Sequence, residues 1–148
     1  MSGKILAVVV LSMGFEAGCR QPAPTLVCAI GSDSETSAGN FILYVANYSI
    51  DRPLVDIQIS LDGNVIVEGE IRNIAPEELP AKYTFALEPG RHVLTARSDR
   101  GDVSFATTFV VTGEHWAGLS YDFASGRKGV KKPPGFWFDM RDEPILFW

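Results

Sequence analysis

The sequence predicts an all-β protein, an antiparallel sandwich of two sheets with seven to nine strands, and three observations carry that prediction. Apolar and polar residues alternate with period two over most of the chain beyond Asn40. Glycine, proline and aspartate punctuate these runs at short, regular intervals, as hairpin turns require. No window of a dozen residues shows convincing helical spacing. Successive short strands joined by tight turns, without crossover helices, stack as two sheets rather than forming a parallel α/β sheet.

The clearest element is the stretch 55–62, where Val55, Ile57, Ile59 and Leu61 are apolar and Asp56, Gln58, Ser60 and Asp62 are polar. That is a strand with one wet face. Asp62-Gly63-Asn64 then turns the chain, because these residues tolerate the positive φ of a tight hairpin. Val65 to Glu68 returns as its partner. The same reasoning places strands near 41–47, 82–87, 91–98, 103–112 and 116–123, with a last one near 136–140. Pro89-Gly90 and Arg100-Gly101-Asp102 are the turns between some of them. The stretch 72–81 holds one short helical turn at most, around Glu77, because prolines stand at 76 and 80. This many strands at this spacing is the immunoglobulin-like architecture, without the Cys–Trp–Cys framework of antibody domains.

One phrase supports that architecture. Leu87-Glu88-Pro89-Gly90-Arg91-His92-Val93-Leu94-Thr95-Ala96 resembles the L-x-P-G-x-H-x-L-x-A turn-and-strand of secreted bacterial immunoglobulin-like and carboxypeptidase-regulatory-like domains. The resemblance covers about ten residues. It implies that Leu87 closes one strand, Pro89-Gly90 make the turn, and Leu94 and Ala96 point inward. It implies a fold and no particular activity.

A chain of 148 residues is one domain's worth of protein, and 46% hydrophobic against 21% charged residues is enough to fill a core. The formal charge of −5 argues against nucleic acid as the main partner, since such binding needs a basic face to displace counterions from phosphate.

The N-terminus has a different texture. Lys4 precedes an apolar run from Ile5 to Phe15, and small residues follow at Ala17-Gly18. A charged start, a short apolar centre and a small-residue cleavage site form an export signal over residues 1–18. At about 1.5 Å per residue the run reaches about half of a ~30 Å hydrocarbon core, so it does not read as a permanent span. Ala17-Gly18-Cys19 resembles a bacterial lipoprotein signal, in which a small pair precedes a cysteine that becomes the lipidated first residue. Glu16 departs from the apolar residue usual at that place in the family. The resemblance implies acylation of Cys19, a membrane as partner through the lipid, and a location in the periplasm or at the cell surface. Residues 19–40 are then the tether, with 26–30 an alternative first edge strand, and 41–148 the sandwich domain. A second reading of the cysteines stays open: cleaved without lipid, Cys19 and Cys28 pair in a disulfide and the domain is secreted.

Nothing in the sequence carries the pattern of an enzyme. His92 and His115 are the only histidines, one after a turn and one opening a strand. There is no Gly-x-Ser-x-Gly, His-Glu-x-x-His, Cys-x-x-Cys or glycine-rich phosphate loop. Catalytic residues, metal ligands and cofactors are therefore all expected to be none, although carboxylates such as Asp139, Asp142 and Glu143 are plentiful. Arg100-Gly101-Asp102 spells an adhesive tripeptide and Asn47-Tyr48-Ser49 a glycosylation acceptor. Each also has a plain structural reading, as a turn and as a strand end.

The last third carries the candidate ligand surface. Arg127, Lys128, Lys131 and Lys132 crowd one Gly/Pro-rich loop, followed by Phe136, Trp137 and Phe138. All three tryptophans, Trp116, Trp137 and Trp148, lie in this part. Alternation puts Phe136 and Phe138 on one face and Trp137 on the other, so some rings face solvent unless 145–148 folds over them. Exposed rings beside cations suit stacking on carbohydrate or contact with a charged surface. The sequence thus points to a non-catalytic cell-envelope binding or accessory module. The alternative is an assembly lipoprotein that meets another envelope protein through a strand edge or the aromatic tail. An enzyme comes third.

Overall fold

A computed structural model describes residues 25–27 (backbone only), 39–75, 78–127 and 129–147. Within them the chain forms nine strands and no helix: β1 (Thr25–Val27), β2 (Phe41–Asn47), β3 (Leu54–Leu61), β4 (Asn64–Arg72), β5 (Ala81–Ala86), β6 (Gly90–Ser98), β7 (Val103–Val111), β8 (His115–Ser125) and β9 (Lys131–Arg141). The strands make a two-sheet sandwich, one sheet in the order β1-β5-β2-β8-β9 and the other β4-β3-β6-β7. The export signal, Cys19, Cys28, Glu77, Lys128 and Trp148 lie outside the described residues. β1 falls within the span that reads as tether from sequence, and it pairs with β5.

Local chemistry explains the elements. β3 alternates buried and half-buried positions along its length. Its hairpin to β4 turns through Asp62 (φ 50°) and Gly63 (φ 81°), the left-handed pair that matches strand twist in a two-residue loop. Asn64 already belongs to β4, opposite Leu61. β9 starts at Lys131, five residues before the start expected near 136, and so takes in Pro133 and Pro134. Adjacent prolines aim their nitrogens to opposite sides: one side of β9 is the open edge of the sheet, and on the other the pairing with β8 is interrupted at this point by a register shift between Asp122 and Ala124.

The sandwich is the one expected, antiparallel in its strand pairings but for one: β8 lies parallel to β2, from Phe41↔His115 to Asn47↔Tyr121. The chain leaves β7 at the end where β2 begins and enters the first sheet there, with the His115 N–H donating to the Asn40 carbonyl at 2.8 Å. Period-two alternation reports which face is wet, not the direction of the neighbouring strand. β2 itself is buried on both faces, as a central strand beside a parallel neighbour is expected to be.

The wiring is immunoglobulin-like in its centre. β2 pairs with β5, β3 with β6, and β6 with β7, the B–E, C–F and F–G pairings of that fold. Where that fold sets its first strand, this chain sets the C-terminal hairpin β8–β9.

The core is a line of rings and aliphatics between the sheets. Phe41 stacks on Phe109 at 4.9 Å and lies 6.4 Å from Phe85. Phe109 in turn touches Phe138 at 5.9 Å, and Phe138 touches Phe105 at 6.4 Å. Leu43, Val45, Val55, Ile59, Leu61, Leu94 and Leu119 fill the space around them.

The sandwich has two distinct ends. The upper end carries the start of β2, the turn at Asp62 and the 87–90 turn, and β1 enters there, with Thr25 opposite Ala86. The lower end carries the connections 48–53, 73–80, 99–102 and 126–130. After β9 the chain turns back over the outside of the first sheet. Phe147 meets Tyr44 edge-on at 4.9 Å, and a Cβ at Gly118 would lie 3.9 Å from Ile145 Cδ1. Leu146 between them faces solvent.

Candidate binding surface

Both histidines are built into the wall of the sandwich. His92 is buried, with Nδ1 2.6 Å from Asp62 Oδ2 and Nε2 2.8 Å from the Glu88 carbonyl. Both partners are acceptors, so the ring satisfies them together only when both nitrogens carry protons. Burial disfavours that charge, but the Asp62 hydrogen bond, the Glu88 carbonyl and the Asp62 charge outweigh it and raise the His92 pKa. The other Asp62 oxygen accepts from the Val93 N–H at 2.9 Å, so one carboxylate pins the β3–β4 turn to β6.

A pKa raised on folding stabilises the native state below the unfolded value of about 6.5 and stops doing so as pH rises through the folded value. The wild-type protein is therefore expected to lead His92→Gln in stability most at pH 5 to 6. The lead should narrow above the folded pKa, a pattern that urea midpoints measured across pH will check.

His115 is buried as well. Its Nε2 accepts from the Thr112 N–H at 3.1 Å, which leaves the proton on Nδ1. Nδ1 lies 2.8 Å from Asp142 Oδ1, but the contact is close without the alignment of a hydrogen bond. Neither histidine lines either of the two shallow depressions on the outer face of the second sheet, which are walled by residues such as Gln58, Arg97 and Glu68. Among the described residues no group of three or more His, Cys, Asp or Glu side chains is placed to hold a metal ion. No helix among them is long and apolar enough to cross a membrane.

The two short sequence motifs are structural in place. Asn47 is fully buried; its amide donates to the Arg52 and Ile71 carbonyls at 3.1 Å each and accepts from the Ser49 N–H at 2.9 Å. Ser49 Oγ donates to the Phe123 carbonyl and accepts from the Arg52 N–H. Arg52 then donates to the buried Tyr121 hydroxyl at 2.7 Å and lies 4.9 Å from the centre of the Phe123 ring. This knot ties the crossing between the sheets to β8.

In the Arg100-Gly101-Asp102 turn, Gly101 is buried, and a Cβ there would fall 2.8 Å from Ser98 Oγ and 3.1 Å from Tyr121 Cε2. Arg100 pairs with Glu70. The Asp56 carboxylate accepts from Ser98 Oγ and from the Asp99 and Arg100 N–H groups. Burial raises its pKa, but those three donors together with its own backbone N–H lower it by more. Packing and capping account for the tripeptide.

The structure splits the aromatic residues expected at the ligand surface. Phe136 and Phe138 turn inward: Phe136 is buried against Tyr121 at 5.6 Å, and Phe138 joins the Phe105–Phe109 line. As ligand-contacting rings they are corrected to core. Trp137 stands on the outer face at 68% exposure, opposite Ser120. Trp116 shares that face, half-buried, opposite Arg141. Four residues, about 13 Å, separate the two levels on the sheet, and Ile145 of the returning tail sits over Gly118 between them. Of the basic cluster, Lys132 pairs with Asp122 at 2.6 Å, while Arg127 and Lys131 are exposed without a carboxylate partner among the described residues.

A second set of residues joins them that sequence reading missed. Tyr48, Ile50, Leu54, Leu79 and Val130 are all exposed apolar side chains at the lower end, Leu79 at 72%. The Tyr48 and Ile50 N–H groups donate to the Tyr121 and Phe123 carbonyls at 2.9 Å, which carries the β2 backbone alongside the end of β8. Asp51 accepts from Ser125 N–H and Oγ at 2.6 and 2.8 Å and fixes that loop beside the β8–β9 hairpin. An apolar rim flanked by cations without a carboxylate partner among the described residues is thus gathered at one end, close to the exposed face of Trp137. The residues come from three separate connections, 48–53 running into Leu54, 73–80 and 126–130, so no local pattern announces the set.

No protein-family model and no curated protein matches this chain in sequence.

Proposed function

We propose that the protein is a non-catalytic binding module of the cell envelope, displayed from a lipid on Cys19 and binding through its lower end. The observation that carries this reading is the concentration at that end, beside Trp137, of exposed apolar side chains and of the exposed cations Arg127 and Lys131, which have no carboxylate partner among the described residues. β1 enters at the opposite end, so a chain tethered through Cys19 presents this surface away from the membrane that holds it. Strands of nine to eleven residues, at about 3.3 Å each, set the two ends about 30 Å apart. The ligand that fits is a carbohydrate surface bearing anionic groups, with rings for stacking on sugar and Arg127 and Lys131 for the charge.

The alternative, an assembly protein that meets an envelope partner through its tail, has less support. Ile145 and Phe147 are engaged with the protein's own sheet.

Binding to purified insoluble cell-wall polysaccharide tests the proposal. Trp137→Ala is expected to weaken retention about tenfold or more while its melting midpoint stays at the wild-type value, because the ring is exposed. Retention should also fall as salt rises. Unchanged retention by Trp137→Ala, or no retention of the wild type, overturns it.

A further inference from the structure

The four outer strands of the two sheets are β1, β9, β4 and β7, and they are not alike. β1 is three residues long. β9 opens with Lys131, Lys132, Pro133 and Pro134. β4 carries Glu68, Glu70 and Arg72, and its pairing with β3 is broken by a register shift at Ile59/Ser60. Charges, prolines, bulges and short length are the devices by which proteins keep sheet edges from recruiting further strands.

β7 has none of them. Its nine residues, Val-Ser-Phe-Ala-Thr-Thr-Phe-Val-Val, contain no charge, no proline and no glycine. They are β-branched, aromatic or small throughout, the composition that adds strands most readily.

We infer that β7 is a self-association edge, where two copies of this chain pair β7 to β7 antiparallel about Thr107 and join their four-stranded sheets. The occupant follows from the strand's own symmetry. Turned about Thr107, the core-facing residues meet as Val103 with Val111, Phe105 with Phe109, and Thr107 with itself. On the outer face Ser104 meets Val110 and Ala106 meets Thr108. Aromatic and β-branched residues opposite one another are the stabilising pairs of antiparallel sheets. No like charges are opposed, and a twofold contact of this kind closes on itself. The same operation on β4 sets Glu68 against a second Glu68. Val110, 49% exposed in the single chain, and the half-buried Phe105 gain cover in the pair. The lower-end surface is not consumed, so this inference stands apart from the binding proposal.

Oxidative cross-linking of the full chain in the cells that express it tests the pairing. Thr107→Cys sets two thiols across the twofold axis at about 5 Å between Cβ atoms, within reach of a disulfide. Ser104→Cys is equally on β7 but separated from its copy by six residues, about 20 Å. Thr107→Cys is expected to give disulfide dimers at least tenfold above both Ser104→Cys and the parent chain. Adding Ala106→Lys with Thr108→Lys, both on the outer face, should abolish them. As a measurement independent of cysteine, the native mass of the chain should halve in that double lysine variant. Equal yields from the two cysteines, cross-links to a protein of different mass, or an unchanged native mass in the lysine variant overturns the inference.

Discussion

Asn47→Ala is expected to lower the stability of the domain by about 2–4 kcal/mol, read as a drop in urea midpoint at unchanged m-value. The side chain is fully buried and makes three hydrogen bonds to backbone, two to carbonyls and one from an N–H. Truncation leaves the buried Ser49 N–H and the two part-buried carbonyls without that partner, and unsatisfied buried groups cost more than a typical hydrogen bond contributes. The loss spreads, because the 47–52 loop carries Ser49 and Arg52, which are bonded to Phe123 and Tyr121 on β8. Asn47→Asp should be no better. A carboxylate cannot donate to the Arg52 and Ile71 carbonyls, and charging it there is disfavoured by burial and by two facing oxygens. Its folded pKa is then raised, so this variant should lose further stability as pH rises from 4 to 7.

Phe41→Ala is expected to cost about 3–5 kcal/mol, the largest effect of any single truncation in the core. Phe41 is fully buried and holds the centre of the aromatic line, stacked on Phe109 from the opposite sheet and tilted against Phe85 from its own. β2 is held on both sides by paired neighbours, β5 and β8, so the cavity closes poorly. Against a total stability of about 5–15 kcal/mol, this change should leave a large unfolded fraction at 37 °C. Phe41→Leu, which keeps most of the volume, should cost clearly less. Denaturation of both variants beside Trp137→Ala, which is expected to match wild type, separates core from surface aromatics in one experiment.

The strands were legible in the sequence where a single chemical pattern decides them. Val55 to Leu61 alternates cleanly, and the Asp62-Gly63 turn demands positive φ, so β3 and its hairpin lie where alternation puts them. β9 was legible only from Phe136 onward, because Lys131 to Pro134 has the composition of a loop, and only its place at a sheet edge lets it pair. The parallel β2–β8 contact depends on where the chain re-enters the first sheet, a global matter on which alternation is silent. The site follows the same division. Trp137 facing out and Phe136 facing in follow from period two. The partnership of His92 with Asp62 spans 30 residues. The grouping of Tyr48, Ile50, Leu79 and Val130 needs three separate connections brought to one end.

Display by a lipid at one end is the claim on which the functional reading turns, and the mass of the mature N-terminus tests it most directly. The chain expressed in a bacterial host should begin at Cys19 and carry acyl mass on that residue. In Cys19→Ala that mass should be absent. A chain that still begins at Met1, or an unacylated one with Cys19 bridged to Cys28, would contradict the account.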